Sequence, residues 1–255
     1  MKASVLASGS KGNSTYIETN ETRILVDLGT SSLYVEKKLK EMRIDPNTID
    51  AILLTHTHVD HVSGLKVFTK KYQTKVYMTP QMCEELSRNN LSLPCIEYIT
   101  DNHIFIKDLK ISVVKTSHDT DDSNAYIFDS LGQTLAYITD TGYINIKHHK
   151  YFKNMNTYII ESNHDVNLLM EGHYPFHIKQ RILGDRGHLS NKQCSYYLSK
   201  LIGDRTHQII LIHLSQDNNK EELARRETEQ MLKEKNRTIN VMISRQKEKT
   251  ELVEV

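Results

Sequence analysis

Three observations predict an α/β fold. Short apolar strands alternate with amphipathic helices along the whole chain, polar residues gather where those strands end, and no repeat, low-complexity run or linker interrupts the pattern. A length of 255 residues is within reach of one large α/β domain, so residues 1–255 are read as a single domain.

Lys2 to Ala7 is an apolar strand that runs into the turn-rich loop Ser8-Gly9-Ser10-Lys11-Gly12-Asn13-Ser14. Thr15 to Glu18 and Arg23 to Leu28 form a hairpin around Thr19-Asn20-Glu21-Thr22. Ser31 or Ser32 caps a helix through Val35, Leu39 and Met42, which Asp45-Pro46 ends. After the strand Ala51 to Leu54, apolar Val62, Leu65, Val67 and Phe68 predict one amphipathic helix over Val62 to Tyr72. Lys75 to Met78 is strand-like, and Pro80 opens a helix over Gln81 to Arg88. Ile96 to Thr100, Leu109 to Lys115, Asn124 to Asp129 and Thr134 to Thr139 alternate as strands of a second sheet. Tyr158 to Glu161 is a further strand. Val166 to Ile202 is helical, interrupted at Gly184-Asp185-Arg186-Gly187, and Gln208 to His213 is a near-continuous apolar strand. Glu221 to Lys235 is a charged helix with Leu223, Met231 and Leu232 inward, and Ile239 to Ile243 and Glu251 to Val255 are short strands.

The densest chemistry lies in Leu54-Thr55-His56-Thr57-His58-Val59-Asp60-His61, where three imidazoles and a carboxylate occupy six positions straight after a buried strand. Packing them together without a counter-ion is costly, and a bound cation removes the difficulty. Neutral imidazole and carboxylate are ligands for zinc, iron and manganese. The spacing differs from H-E-x-x-H, which needs a helix to put its histidines on one face. Here the ligands occupy a strand-to-helix loop and point to more than one side of it, which suits two adjacent metals better than one.

Composition narrows the field. Lys and Arg number 33 against 32 Asp and Glu, so any contact with nucleic acid must come from a local patch. The N-terminal apolar run is too short for a signal peptide, and no apolar stretch reaches membrane-spanning length. Cys83, Cys95 and Cys194 are odd in number and lack C-x-x-C spacing, which fits reduced thiols in a cytoplasmic protein and disfavours an exported antibiotic-degrading enzyme.

T-H-x-H-x-D-H after an apolar strand resembles the signature of the metallo-β-lactamase-fold superfamily. That resemblance implies a four-layer αβ/βα sandwich with a dinuclear metal site at one edge. It requires later ligands at strand ends, which His118 after Ile111 to Ser117, Asp140 in Tyr137-Ile138-Thr139-Asp140-Thr141-Gly142, and His213 after Ile209 to Ile212 supply. On this assignment His56, His58 and His118 hold one metal, Asp60, His61 and His213 hold the other, and Asp140 bridges them. All donors are nitrogen or oxygen, which permits zinc, manganese or iron. Asp27, ending Ile24-Leu25-Val26-Asp27, matches an acid of the fold that orients a ligand imidazole, although a simple turn residue is the alternative. His164 follows a strand and could approach the site, but a structural role is preferred. His103, His148, His149, His173, His177 and His207 are read as structural.

Two metals roughly 3.5–4 Å apart hold a hydroxide that is nucleophilic near neutral pH, with Asp60 central to the chemistry; this makes a hydrolase without naming its substrate. Three features point to phosphate. Ser8, Ser10 and Asn13 lie on a glycine-rich loop whose backbone donors suit an anion, though alone it reads as an ordinary turn. In Arg186-Gly187-His188-Leu189-Ser190-Asn191, Ser190 or Asn191 caps the helix Gln193 to Leu201, placing His188 near a helix N-terminus to bind the scissile phosphate or protonate the leaving oxygen. Lys179, Arg181, Arg186 and Lys192 form a local basic patch.

Taken with I-T-D-T-G, E-S-N-H-D and G-H-L-S-N, the opening S-V-L-A-S-G-S-K-G-N-S resembles the YycJ family (also called WalJ or VicX) over essentially the whole chain. The resemblance implies a metal-dependent exonuclease acting 5′ to 3′ on DNA in the cytoplasm, tied to a two-component system or to DNA repair. The chain departs from β-CASP nucleases, which carry a large inserted domain where only a short helical segment follows Asp140. Two other readings stand beside this one. A small-molecule hydrolase of a cyclic phosphodiester or a glyoxalase-like thioester is kept alive by the lack of a visible aromatic platform, with no Trp and five Phe. A regulatory binding protein is the other, and the complete ligand set argues against it.

Overall fold

Alternation of β-branched and small residues puts Lys2–Ala7 (β1), Ser14–Glu18 (β2) and Arg23–Val26 (β3) into an antiparallel meander, in which Val5 faces Thr15 and Tyr16 faces Leu25. The structure is a computed structural model and describes residues 1–255. It divides into two units, one formed by Met1–Val113, Thr120–Asn124 and Arg245–Glu254, the other by Val114–Asp119, Ala125–Ser244 and Val255.

In the first unit the meander leads to Ser32–Glu41 (α1), whose N-cap Ser31 accepts from the Tyr34 amide. Ala51–Leu53 (β4) follows, then two short helices, Val59–Val62 (α2) and Leu65–Tyr72 (α3). The single helix expected over Val62 to Tyr72 is therefore broken. The cause is Gly64: its amide bonds the Leu28 carbonyl at 2.9 Å, and a Cβ there would stand 2.1 Å from the Thr30 carbonyl oxygen. Val67, expected inward, is exposed.

Lys75–Met78 (β5), Pro80–Arg88 (α4) and Ile96–Tyr98 (β6) extend the same sheet. Ile96–Tyr98 thus lies on the edge of the first sheet, parallel to β5, and not in the second as expected. Its alternation marks a strand but carries no information about which sheet receives it. His103–Ile106 (β7), unforeseen as a strand, pairs antiparallel with Leu109–Lys115 (β8).

The second unit carries Asn124–Ser130 (β9), Gln133–Ile138 (β10), the single-turn helix His149–Phe152 (α5), Thr157–Glu161 (β11), Val166–Glu171 (α6), Phe176–Leu183 (α7), Asn191–Leu201 (α8), Gln208–Ile212 (β12), Glu221–Glu234 (α9) and Asn240–Ile243 (β13). Its strands run β13-β12-β11-β10-β9. The β10 to β13 pairings are parallel and β9–β10 is antiparallel. Val253–Glu254 (β14) returns to β1, so the first sheet reads β14-β1-β2-β3-β4-β5-β6.

Each unit has its own core. Leu25, Leu39, Ile52, Leu65 and Phe68 anchor the first, while Tyr158, Ile160, Leu198, Ile209 and Leu211 anchor the second. Each such aliphatic side chain contributes roughly 1.5–3 kcal/mol by leaving water. On α9 it is Ala224, Thr228, Met231 and Leu232 that are buried, with Leu223 only half-buried. These parallel strands end on one side of their sheets, and the polar residues that end them supply the chemistry.

Candidate metal centre

In the first unit the carboxyl end of β4 delivers His56 and His58 on a loop, and the first turn of α2 delivers Asp60 and His61. The rings are packed: His56 lies 4.7 Å from His58 and 4.0 Å from His61 between centroids. His56 and His61 are buried, whereas His58 and Asp60 are half-buried. Asp27, fully buried, sits behind them. Its Oδ2 accepts from Nδ1 of His61 at 2.8 Å and from the Thr55 hydroxyl at 2.8 Å, and its Oδ1 accepts from the Thr55 amide at 2.8 Å. With Nδ1 committed, Nε2 of His61 is the nitrogen left to act as a ligand. Burial pushes the Asp27 carboxyl above the usual range, and the single His61 partner does not reverse that.

Of the glycine-rich loop, Ser8 and Asn13 are buried and Ser10 is exposed. Asn13 acts as a brace. Its Oδ1 accepts from the Gly9 amide at 2.8 Å, while its Nδ2 donates to the Asp60 side chain at 3.2 Å and lies 3.0 Å from Nε2 of His61. The backbone at Asp60 is approached so closely by Gly29 that a Cβ there would fall 1.5 Å from the Asp60 carbonyl oxygen.

In the second unit the strand ends deliver His118, Asp140, Glu161 and His213, and the turn before α8 delivers His188. Donor atoms of Asp140, Glu161, His188 and His213 all lie within 4.8 Å of one another. His118 places Nε2 3.8 Å from Asp140 and its ring centroid 5.1 Å from that of His188. Glu161, which sequence reasoning missed as a functional residue, is the hub. Its Oε1 accepts from Nδ1 of His188 and from Nδ1 of His213, both at 2.8 Å, and its Oε2 accepts from the Leu189 amide at 3.1 Å. Burial alone would raise its pKa, but the charge and hydrogen bonds of two imidazoles overcome that and hold it at about 2. The same contact pushes His188 above the ordinary imidazole value despite its burial. The signal for Glu161 was present: an acid at the end of Tyr158-Ile159-Ile160, the pattern that marked Asp140.

Asp27, Asp140 and His213 have φ of 59°, 47° and 56°, in the left-handed region that Asp and His enter more readily than most side chains. Each follows a strand, so the kink turns a side chain out of the sheet direction. Asparagines hold the second set in place. Asn163 donates to the His213 carbonyl at 2.9 Å, and Asn219 donates to the Ser162 and Asn163 carbonyls and to Asn191.

His188 does stand before a helix N-terminus. Ser190 is the N-cap, and its hydroxyl is engaged with Gln193 in a capping box. Of the sequence-predicted basic patch, Arg181 pairs with Asp119, Lys179 donates to the Met170 carbonyl and Arg186 to the His118 carbonyl, leaving Lys192 exposed. His164 is fully buried, with no hydrogen-bond partner for either ring nitrogen.

The donor chemistry fits divalent metal. Both units present imidazoles whose second nitrogen is held by a buried carboxylate, together with Asp60 or Asp140 as an oxygen donor, and no thiolate takes part. No helix is long and apolar enough to cross a membrane.

Comparison with known proteins places these observations. Residues 22–214 match the family described as Beta-lactamase superfamily domain. The chain is 38% identical to Exodeoxyribonuclease YycJ of Bacillus anthracis over 235 residues, covering 91% of this chain and 89% of that one. It is also 38% identical to Exodeoxyribonuclease WalJ of Streptococcus pneumoniae over 230 residues, 88% of this chain and 85% of that protein. Among solved structures, the metallo-β-lactamase fold protein YhfI from Bacillus subtilis superposes with a TM-score of 0.72 at 15% identity, covering 98% of each chain.

Proposed function

We propose that this chain, which belongs to the YycJ/WalJ family of the β-lactamase superfamily, is a metal-dependent phosphodiesterase that removes nucleotides from DNA ends in the 5′-to-3′ direction. Its fold is the metallo-β-lactamase fold. The observation that carries the proposal is the 38% identity, over nine-tenths of the chain, to proteins named exodeoxyribonucleases.

We assign His56, His58 and His118 to one divalent ion and Asp60, His61 and His213 to a second, with Asp140 shared and residues 1–255 acting as one metallo-β-lactamase-like domain. Zinc, manganese and iron all suit this donor set. Such ions, when bound, acidify water and neutralise charge developing on a phosphate oxygen. The protein groups do the rest. Asp27 and Glu161 hold His61 and His213 in one tautomer and orientation. His188, kept protonated by Glu161, binds the scissile phosphate and delivers its proton to the leaving oxygen. Ser8, Ser10, Asn13 and Ser190 are the proposed neighbours of the phosphate; for Asn13 and Ser190 this works through backbone and bracing contacts, since their side chains are already bonded. Three free cysteines fit a cytoplasmic setting.

The test is hydrolysis of DNA labelled at the 5′ or the 3′ end, with Mn²⁺ added, by the wild type, Asp60→Ala and His188→Ala. Label released as mononucleotide from the 5′ end first, abolished in Asp60→Ala and weakened in His188→Ala, is the expected result. Polymer left intact by metal-loaded protein that hydrolyses bis(p-nitrophenyl) phosphate would replace this reading with a small-substrate one.

A further inference from the structure

Two packed segments of the second unit form a surface of which the chemistry above uses only His188 and Ser190. Residues 142–156, which include α5, and residues 187–203, which include α8, are joined by the Asn154 amide bonding the Leu201 carbonyl at 2.7 Å. They are joined again where the His149 ring meets the Tyr197 ring edge-on at 5.8 Å. Neither segment contains a single Asp or Glu, although the whole chain is balanced at a net charge of +1. They carry Lys147, Lys150, Lys153, Lys192 and Lys200, all exposed. Asp185, in the turn just before the second segment, bears electrostatically on Tyr197.

Aromatic rings are interleaved with the lysines. Tyr151 and Tyr196 are 49% and 57% exposed, too much for core residues of their size, and Tyr143 is also exposed. Tyr196 meets Tyr197 at 5.5 Å, Tyr197 meets His149, and His148 meets Tyr151 at 6.3 Å, so rings run across both segments. Lys150 stands 4.9 Å over Tyr151 and Lys200 5.4 Å over Tyr196. α8 begins three residues after His188, so the surface is continuous in the chain with the proposed proton donor.

Exposed rings alternating with exposed lysines, two of which stand over a ring face and can swing from it to a phosphate, match a single nucleic-acid strand: bases stack on the rings and phosphates lie on the ammonium groups. A duplex keeps its bases stacked on one another and offers only its phosphates. We propose that this face holds single-stranded DNA, with Tyr151 and Tyr196 as stacking residues and Lys150 and Lys200 as phosphate contacts. The choice of DNA rests on the exonuclease reading; the stacking geometry does not.

The test measures binding of fluorescein-labelled phosphorothioate oligo(dT) to the metal-loaded protein, and in parallel its hydrolysis of bis(p-nitrophenyl) phosphate, which needs no strand platform. Tyr151→Ala/Tyr196→Ala is expected to weaken oligonucleotide binding about tenfold or more. Tyr151→Phe/Tyr196→Phe should bind like the wild type because the ring faces remain. Lys150→Gln/Lys200→Gln should make the slope of log K against log salt shallower by about 0.7 per lost contact. Hydrolysis of the small diester should hold within about twofold in all three variants. Unchanged binding in the alanine pair, or equal weakening toward a duplex of the same length, would overturn the proposal. If the wild type cuts no polymer but the alanine pair still loses the single strand, the nuclease reading fails and the surface stands.

Discussion

The two units back their imidazoles with buried carboxylates, but they do so differently. Asp27 in the first unit serves one histidine, His61, and the remaining acceptor capacity goes to Thr55. Glu161 in the second serves two, His188 and His213, from a single oxygen. Both carboxylates are completely buried, yet burial wins at Asp27, whose pKa rises, and loses at Glu161, whose pKa falls to about 2. At Asp27 the single imidazole does not offset the loss of water around the carboxylate, whereas at Glu161 the charge and hydrogen bond of His188 together with the hydrogen bond of His213 do. In the proposed arrangement the first unit's carboxylate only orients an imidazole, while the second unit's also keeps a proton available on His188.

The largest expected effect breaks that difference at its hub. Glu161→Gln offers a neutral amide that neither stabilises the extra proton on His188 nor holds the Nδ1–H of His213 as a carboxylate does, so His188 loses its proton and His213 its orientation together. DNA hydrolysis should fall by about a thousandfold or more, combining the ~10²–10⁴-fold worth of a general acid with a loosened ligand. A steady-state assay that finds Glu161→Gln within tenfold of wild type would remove His188 from the acid role.

Asp27→Asn is the sharper comparison. It should cost about 10–100-fold in metal affinity, read by competition with a chromophoric chelator, with activity restored at high metal concentration. Activity that stays lost under saturating metal would mean that Asp27 does more than orient His61. Metal removal affects both units. At ~100–1,000 times the dissociation constant, bound metal stabilises by about 2.7–4.1 kcal/mol, so chelator should lower the melting temperature and re-addition should restore it.

The smallest effect concerns His164, three residues past Glu161. Burial holds its pKa down to about 4 against 6.5 for an exposed imidazole. The unfolded chain takes up a proton as pH falls through 6.5, and the folded chain does so only near 4. His164 therefore costs the fold nothing above pH 6.5, and the cost grows to about 3 kcal/mol as pH falls to 4. His164→Leu should flatten urea-unfolding stability between about pH 7 and 4.5 by most of that amount. An unchanged slope would show that His164 is not buried as a neutral ring.

Much of this architecture was legible because polar residues at strand ends stand out against apolar runs. His118, Asp140 and His213 each follow four or more residues of strand, and the His56–His61 cluster has no packing purpose. Other features depend on contacts distant in sequence. Gly64 breaks a helix because of Leu28 and Thr30, which periodicity over residues 62–72 does not register. Asn13 and Ser190 look like free donors in sequence, yet one braces Asp60 and the other caps α8. The left-handed backbones of Asp27, Asp140 and His213 leave no mark on composition, since Asp and His are tolerated there without glycine. Glu161 was passed over because its strand end was crowded with other polar residues, Ser162, Asn163 and His164, that offered equal claims.

The most direct test of the central claim counts metal and activity together. Bound metal per chain is measured by plasma mass spectrometry in wild type, His56→Ala and His213→Ala, alongside release of nucleotides from DNA. The account predicts two equivalents in the wild type, loss of about one in each variant, and loss of DNA hydrolysis in both. Full hydrolysis by either variant, or an active wild type holding no metal, would contradict it.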